Sequence, residues 1–132
     1  MSSPPTHEPV IEVLTALRAN VMGLTETVLS TVDGLAVASD AESVHPDSVA
    51  ALCAAAHGLA LRLAHEVGGG PLREVVTRSA GRSIVIETVG DRALLTVVGD
   101  DGLDLVALRR ELHRTVERLE ELLRGDTPHD GT

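Results

Sequence analysis

The stretch LSTVDGLAVASD, residues 29–40, sets Ser30, Asp33 and Ser39 within ten positions of one another. Hydroxyls beside a carboxylate are raw material for nucleophilic catalysis, but a serine nucleophile needs a base, and the sequence places no histidine near it. The same residues have a simpler use. Asp33-Gly34 sits between two largely apolar runs, which is the signature of a two-residue type I′ turn with positive φ at both central positions. The stretch therefore reads as a β-hairpin, and no catalytic residue is assigned to it.

Six histidines raise the question of a metal. His57 and His65 are eight apart on one helical segment, while His7, His45 and His129 fall on irregular ground, and no two histidines have the i, i+4 spacing of a helical zinc pair. Cys53 is the single cysteine, too few for a thiolate cluster or an internal disulfide, and it reads as a small buried hydrophobe in a reducing cytoplasm. GDDGLD, residues 99–104, lacks the ligand pattern of a calcium loop and reads as a strand-to-helix turn. No metal, cofactor or catalytic site is expected. The remaining polar candidates are Arg62, Arg73, Arg78 and Arg82, whose planar forks suit an acidic or phosphate-bearing partner.

Composition narrows the classes further. All 11 basic side chains are arginine, so neither a phosphate-binding P-loop nor Schiff-base chemistry has its lysine. With no aromatic residue and a net charge of -9, the chain has no base-stacking platform and repels phosphate, which excludes nucleic acid as a partner. The richness in Ala, Gly and Val points to a GC-rich bacterial genome. MSSPPTHEPV has no basic segment followed by an apolar one, so no signal peptide is expected, and no stretch reads as crossing a bilayer uninterrupted by charge.

The elements that would position these residues follow from periodicity. Residues 1–6 and 125–132 read as flexible tails around one domain, 7–124. EPVIEVLTALRANV carries Val10, Val13, Leu14, Leu17 and Val21 at helical spacing. After the hairpin, HPDSVAALCAAAHGLALRLAHEVGGG is a long second helix capped by Asp47 or Ser48 and ended by Gly68–Gly70. Its main inward face is expected to be Val49, Leu52, Cys53, Ala56, Leu59, Ala60 and Leu63. A second stripe, Ala50, Ala54, His57 and Leu61, occupies the arc where a solvated helix carries charge, and a helix apolar on two sides wants a second partner. That stripe is the expected contact between two second helices across a two-fold axis.

LREVVTRSA then reads as a charged edge strand, SIVIETV and ALLTVV as strands covered on both faces, and the last 21-residue stretch as an amphipathic helix with Leu105, Leu108, Leu112, Val116, Leu119 and Leu123 inward and Asp104 as N-cap. The order α-β-β-α-β-β-β-α gives an α/β (α+β) fold, one antiparallel five-stranded sheet with helices on both faces.

This order, with VLSTVDGLAVAS as the first hairpin and SIVIETVGDRALLTVVGDDGLDLVALRRELHRTVERLEELL as the closing strands and helix, resembles the roadblock/LC7 family, whose fold is profilin-like. It is most similar to the stand-alone bacterial members that accompany Ras-like GTPases. The resemblance implies a cytoplasmic homodimer joined along edge strands, which puts Arg73 and Val75 at the junction, with the second helices side by side. It further implies a regulator or scaffold, not an enzyme, that binds a Ras-like small GTPase, in some cases beside a sensor kinase, with Arg62, Arg73 and Arg78 as contacts. A small-ligand sensor domain is the alternative, which calls for a cavity with convergent polar groups.

Overall fold

The computed structural model describes residues 7–125. Helix α1 (His7–Asn20) leads into a hairpin of β1 (Leu24–Thr31) and β2 (Ala36–Asp40). Helix α2 (Pro46–Glu66) follows, then the meander β3 (Val75–Arg78), β4 (Arg82–Val89) and β5 (Ala93–Asp100), and helix α3 (Leu105–Gly125) closes the chain. The expected element order holds throughout. Helix α3 reaches Gly125, the last described residue, and the terminal segments 1–6 and 126–132 lie outside the described residues.

The five strands form one antiparallel sheet in the order β2-β1-β5-β4-β3, with the two hairpins joined through β1 and β5. Alternation along the strands sorts the side chains between two layers. Leu29, Val85, Val89, Leu95 and Val97 meet Val10, Leu14 and Leu17 of α1 and Leu108, Leu112 and Leu119 of α3 in the larger core. Ile86 and Leu94, on the opposite face, pack under α2 against Cys53. Each large aliphatic side chain so buried contributes about 1.5–3 kcal/mol, and the core is filled without any aromatic residue.

Local chemistry explains the joints. Asp104 caps α3 by accepting a 3.0 Å hydrogen bond from the Ala107 amide. The N-cap of α2 is His45, which has no side-chain capping bond; Pro46, with its fixed φ, opens the helix in place of an Asp47 or Ser48 cap. The helix ends at Gly68 (φ +66), with the Gly69 amide bonded to the Ala64 carbonyl at 2.8 Å.

The first hairpin is present, but its turn is not type I′. Gly34 alone has positive φ, +102. The Gly34 amide bonds to the Thr31 carbonyl at 3.1 Å and the Thr31 amide to the Leu35 carbonyl at 2.8 Å, a three-residue loop closed by a left-handed glycine. Asp33 keeps a negative φ, so the two-residue turn with positive φ at both central positions does not form and the loop takes in Val32 as a third residue.

Helix α2 is long and apolar enough by composition to cross a bilayer, with Arg62 interrupting its apolar run, although it lies on the sheet. Its inward face corrects a further expectation, because it draws on both expected stripes: Ala50, Cys53 and His57 are buried beneath the helix with Val49, Ala54 and Ala56 packed beside them, whereas Leu52, Leu59, Leu61 and Leu63 are exposed. Small side chains let the helix settle closely onto Ile86 and Leu94, which a row of leucines would hold away.

Candidate protein-docking surface

Seating α2 on its small residues turns its large ones outward. Leu52, Leu59, Leu63 and Val67 are 71%, 69%, 64% and 70% exposed. Helical spacing stacks them on one side, so they form a continuous apolar ridge along the outer layer. Isolated exposed leucines are ordinary, but a ridge this long on one element marks a surface made for contact. At its C-terminal end the ridge borders a groove of about 500 Å³ lined by Ala60, Leu63, Ala64, Val67, Gly69, Pro71, Leu72 and Arg73.

β3 lies at the sheet edge, paired only with β4. Its outward backbone groups have no strand beside them, a template for a further strand. Val75 is half-buried against the Cys53–Ile86 cluster, while Val76, Thr77 and Arg78 are exposed. Arg73 stands just before the strand, shared between the apolar groove and a cleft of about 360 Å³ lined by Glu74, Glu87, Arg109 and His113. Arg78 lies at the strand's other end beside Ser79, Arg82, Asp100 and Asp101. Arg62 is exposed on the flank of α2. Among the described residues, Arg62, Arg73, Arg78, Arg92 and Arg110 make no ion pair, whereas Arg18 has two and Arg82, Arg109, Arg114, Arg118 and Arg124 have one each.

Of the residues expected at the two-fold contact, Ala50 and His57 face the chain's own sheet and are covered by it, Ala54 is half-buried, and Leu61 is exposed. The structure thus separates Ala50 and His57 from Leu61, Arg73 and the β3 edge.

Ser30, Asp33 and Ser39 do not assemble. Ser30 is wholly buried with no hydrogen-bond partner for its hydroxyl, and Asp33 is engaged with the Thr31 hydroxyl at the hairpin tip. Among the described residues, no three His, Cys, Asp or Glu side chains are placed to hold a metal ion.

One buried ionic cluster was not signalled by the sequence. Glu26 of β1 is 2% exposed and accepts hydrogen bonds from the hydroxyls of Thr25 (2.7 Å) and Ser43 (2.6 Å), the Ser43 amide (3.2 Å) and Arg82 (3.1 Å). Burial pushes its pKa up, but the Ser43 and Thr25 hydrogen bonds and the Arg82 charge outweigh burial and hold it below the usual carboxylate range. Glu26 thereby pins the loop before α2 to β1 and β4, fixing where the ridge stands. Arg82 is consumed in this pairing. Glu87 is pushed up by burial and by the Glu74 charge, with Arg109 and His113 opposing.

Known structures share the fold of the chain. A structure of MglB with tetrameric arrangement matches at a TM-score of 0.87 and 21% identity over 96% of both chains. A roadblock/LC7 domain from Streptomyces avermitilis matches at 0.80 and 24% identity, covering 86% of this chain and 97% of that one. Profilin IA of Acanthamoeba castellanii matches at 0.57 and 13% identity over 82% and 96%. At such identities the likeness shows a shared, profilin-like fold. No curated protein matches the chain by sequence. The roadblock/LC7 domain model matches residues 10–99, from the start of α1 to the end of β5, and the chain belongs to the roadblock/LC7 family.

Proposed function

We propose that the chain is a homodimeric regulatory or scaffold protein that binds a Ras-like small GTPase and modulates its nucleotide cycle or docks it to a signalling complex. The observation that carries this reading is the exposed ridge Leu52–Leu59–Leu63–Val67 beside the open β3 edge. Two copies related by a two-fold axis cover both features at once: the ridges pack together and the β3 edges continue one sheet into the next. A self-association is in keeping with the tetrameric arrangement reported for the MglB structure.

The GTPase contact follows from the free arginines. In a chain this acidic, Arg62, Arg73 and Arg78 are exposed and make no ion pair among the described residues, which leaves their guanidinium forks available to a carboxylate or phosphate on a partner. Arg62 stands on a helix and Arg78 on a strand, which favours positioning the GTPase's own groups over an arginine finger from either. Partner turnover of GTP, measured with Arg62→Ala, Arg73→Ala and Arg78→Ala, distinguishes the two. Positioning predicts weaker binding by about 1–2 kcal/mol per contact, whereas a finger predicts intact binding with about 10³-fold slower stimulated hydrolysis.

A further inference from the structure

The face of α2 that rests on the sheet is built from small side chains with one exception. His57 is 7% exposed, and its Nε2 is enclosed without a hydrogen-bond partner. The sheet beneath offers hydroxyls in place of charge. Ser30 and Thr96, both wholly buried, lie on the strand face that carries Leu94, and neither hydroxyl has a hydrogen-bond partner.

The ionic groups around the helix leave the ring uncompensated. On the covered face of the sheet, Glu26 and Arg82 are paired with each other, and Asp100 faces Arg82 across β4 and β5. These stand toward the start of β1, while Gly34, at the opposite tip, lies against Ala51 and Ala54 of α2. From β2, Asp40 is paired with Arg18 of α1. On the segment leading into β3, Glu74 is taken by Arg109 and Arg73 has no ion pair; Arg78 ends that strand. On α2 itself, Asp47, Arg62, His65 and Glu66 are exposed, and burial pushes the Cys53 thiol up so that it stays neutral. Burial alone accounts for the lowered pKa of His57, with no charged neighbour acting on it. An imidazolium here is a buried charge without a counter-ion.

We infer that His57 is an acid-sensitive seat: protonating its ring unseats α2 from the sheet and takes apart the docking face on the helix's outer side. The second half rests on the dimer reading above; the first does not. The sign follows from linkage. The unseated ring takes up a proton at about pH 6.5 and the seated ring at lower pH, so the unseated state binds more protons between the two values. The seating equilibrium therefore weakens as pH falls below about 6.5, by at most about tenfold per pH unit, the limit for one proton.

Cys53, one helical turn before His57 and on the same face, is a built-in reporter, being the only cysteine and 6% exposed. Its reaction with 4,4′-dithiodipyridine is measured in the full chain from about pH 8 to 5, each rate divided by that of the urea-unfolded chain at the same pH to cancel thiol ionisation. The relative rate should be flat above about pH 7 and climb up to tenfold per unit below 6.5. His57→Gln and His57→Leu should each abolish the climb, and either variant that folds suffices. A flat wild-type profile, or the same climb without the histidine, overturns the seat. Sedimentation at about pH 7.5 and 5 tests the coupling: a dimer that becomes monomer in wild type but not in the variants supports it. A dimer persisting at the lower pH while Cys53 reacts overturns the coupling. A monomer already at the higher pH removes the dimer reading and leaves the seat to be decided by the thiol rates.

Discussion

Leu59→Glu tests the docking ridge most sharply. Leu59 is 69% exposed in the single chain, between Leu52 and Leu63 on the outer side of α2. Glutamate has nearly the helix propensity of leucine, so the isolated fold should change by less than about 0.5 kcal/mol. In a two-fold contact the change occurs in both copies. Each leucine withdrawn from the contact forfeits about 1.5–3 kcal/mol, so the pair forfeits roughly 3–6 kcal/mol before any cost of desolvating two carboxylates. At about 1.4 kcal/mol per tenfold, the dimer dissociation constant should rise by about 10²–10⁴. Sedimentation equilibrium reads the association, and thermal unfolding of the same samples reads the fold. Ala50→Glu is the opposing control: Ala50 is wholly buried against the sheet, so a carboxylate there should unfold the chain. A Leu59→Glu dimer as tight as wild type, or an Ala50→Glu chain that folds normally yet dissociates, would refute the assignment of the ridge.

Other expectations concern the fold that holds the ridge. Gly34→Val combines a φ of +102 with a Cβ only 3.3 Å from the Ala51 Cα, and should cost about 2 kcal/mol or more in urea unfolding. Ser30→Ala removes a buried hydroxyl that has no hydrogen-bond partner, so stability should stay within about 1 kcal/mol and partner binding should not change; loss of function with an intact fold would reinstate a chemical role for Ser30. Because the pKa of Glu26 is lowered in the fold, its contribution is complete above the unfolded value of about 4.3 and lost as pH falls through the lower folded value. Glu26→Gln should therefore destabilise the chain by about 2–3 kcal/mol at neutral pH and flatten this part of the acid limb in pH-dependent unfolding.

Much of the fold was legible because periodicity encodes it directly. Val10, Leu14 and Leu17 mark the inner stripe of α1, and Ile84–Ile86 and Leu94–Val98 announce strands covered on both sides. The orientation of α2 was not legible for a definite reason: periodicity tells which residues share a face, and a helix with two apolar faces leaves open which one meets the sheet. Close packing onto Ile86 and Leu94 decides it for the small side chains, and only the assembled sheet shows that. Glu26 was hidden because a lone carboxylate in a strand is ordinarily solvated and nothing local in LTETVL supplies it with a partner. Its burial depends on Ser43 and Arg82, 17 and 56 positions away. Of the expected contact residues, Arg73, Arg78, Arg62 and Leu61 are at the surface, while Ala50 and His57 lie beneath the helix.

The central claim is that the dimer receives a GTPase through its exposed arginines. Size-exclusion chromatography with light scattering, run on the chain mixed with the Ras-like GTPase encoded nearest to it, measures this directly. The GTPase is loaded in turn with GDP and with a non-hydrolysable GTP analogue. The account predicts a complex containing two copies of this chain, formed more tightly in one nucleotide state than the other, and weakened by Arg73→Ala. Absence of a complex in both states would contradict it.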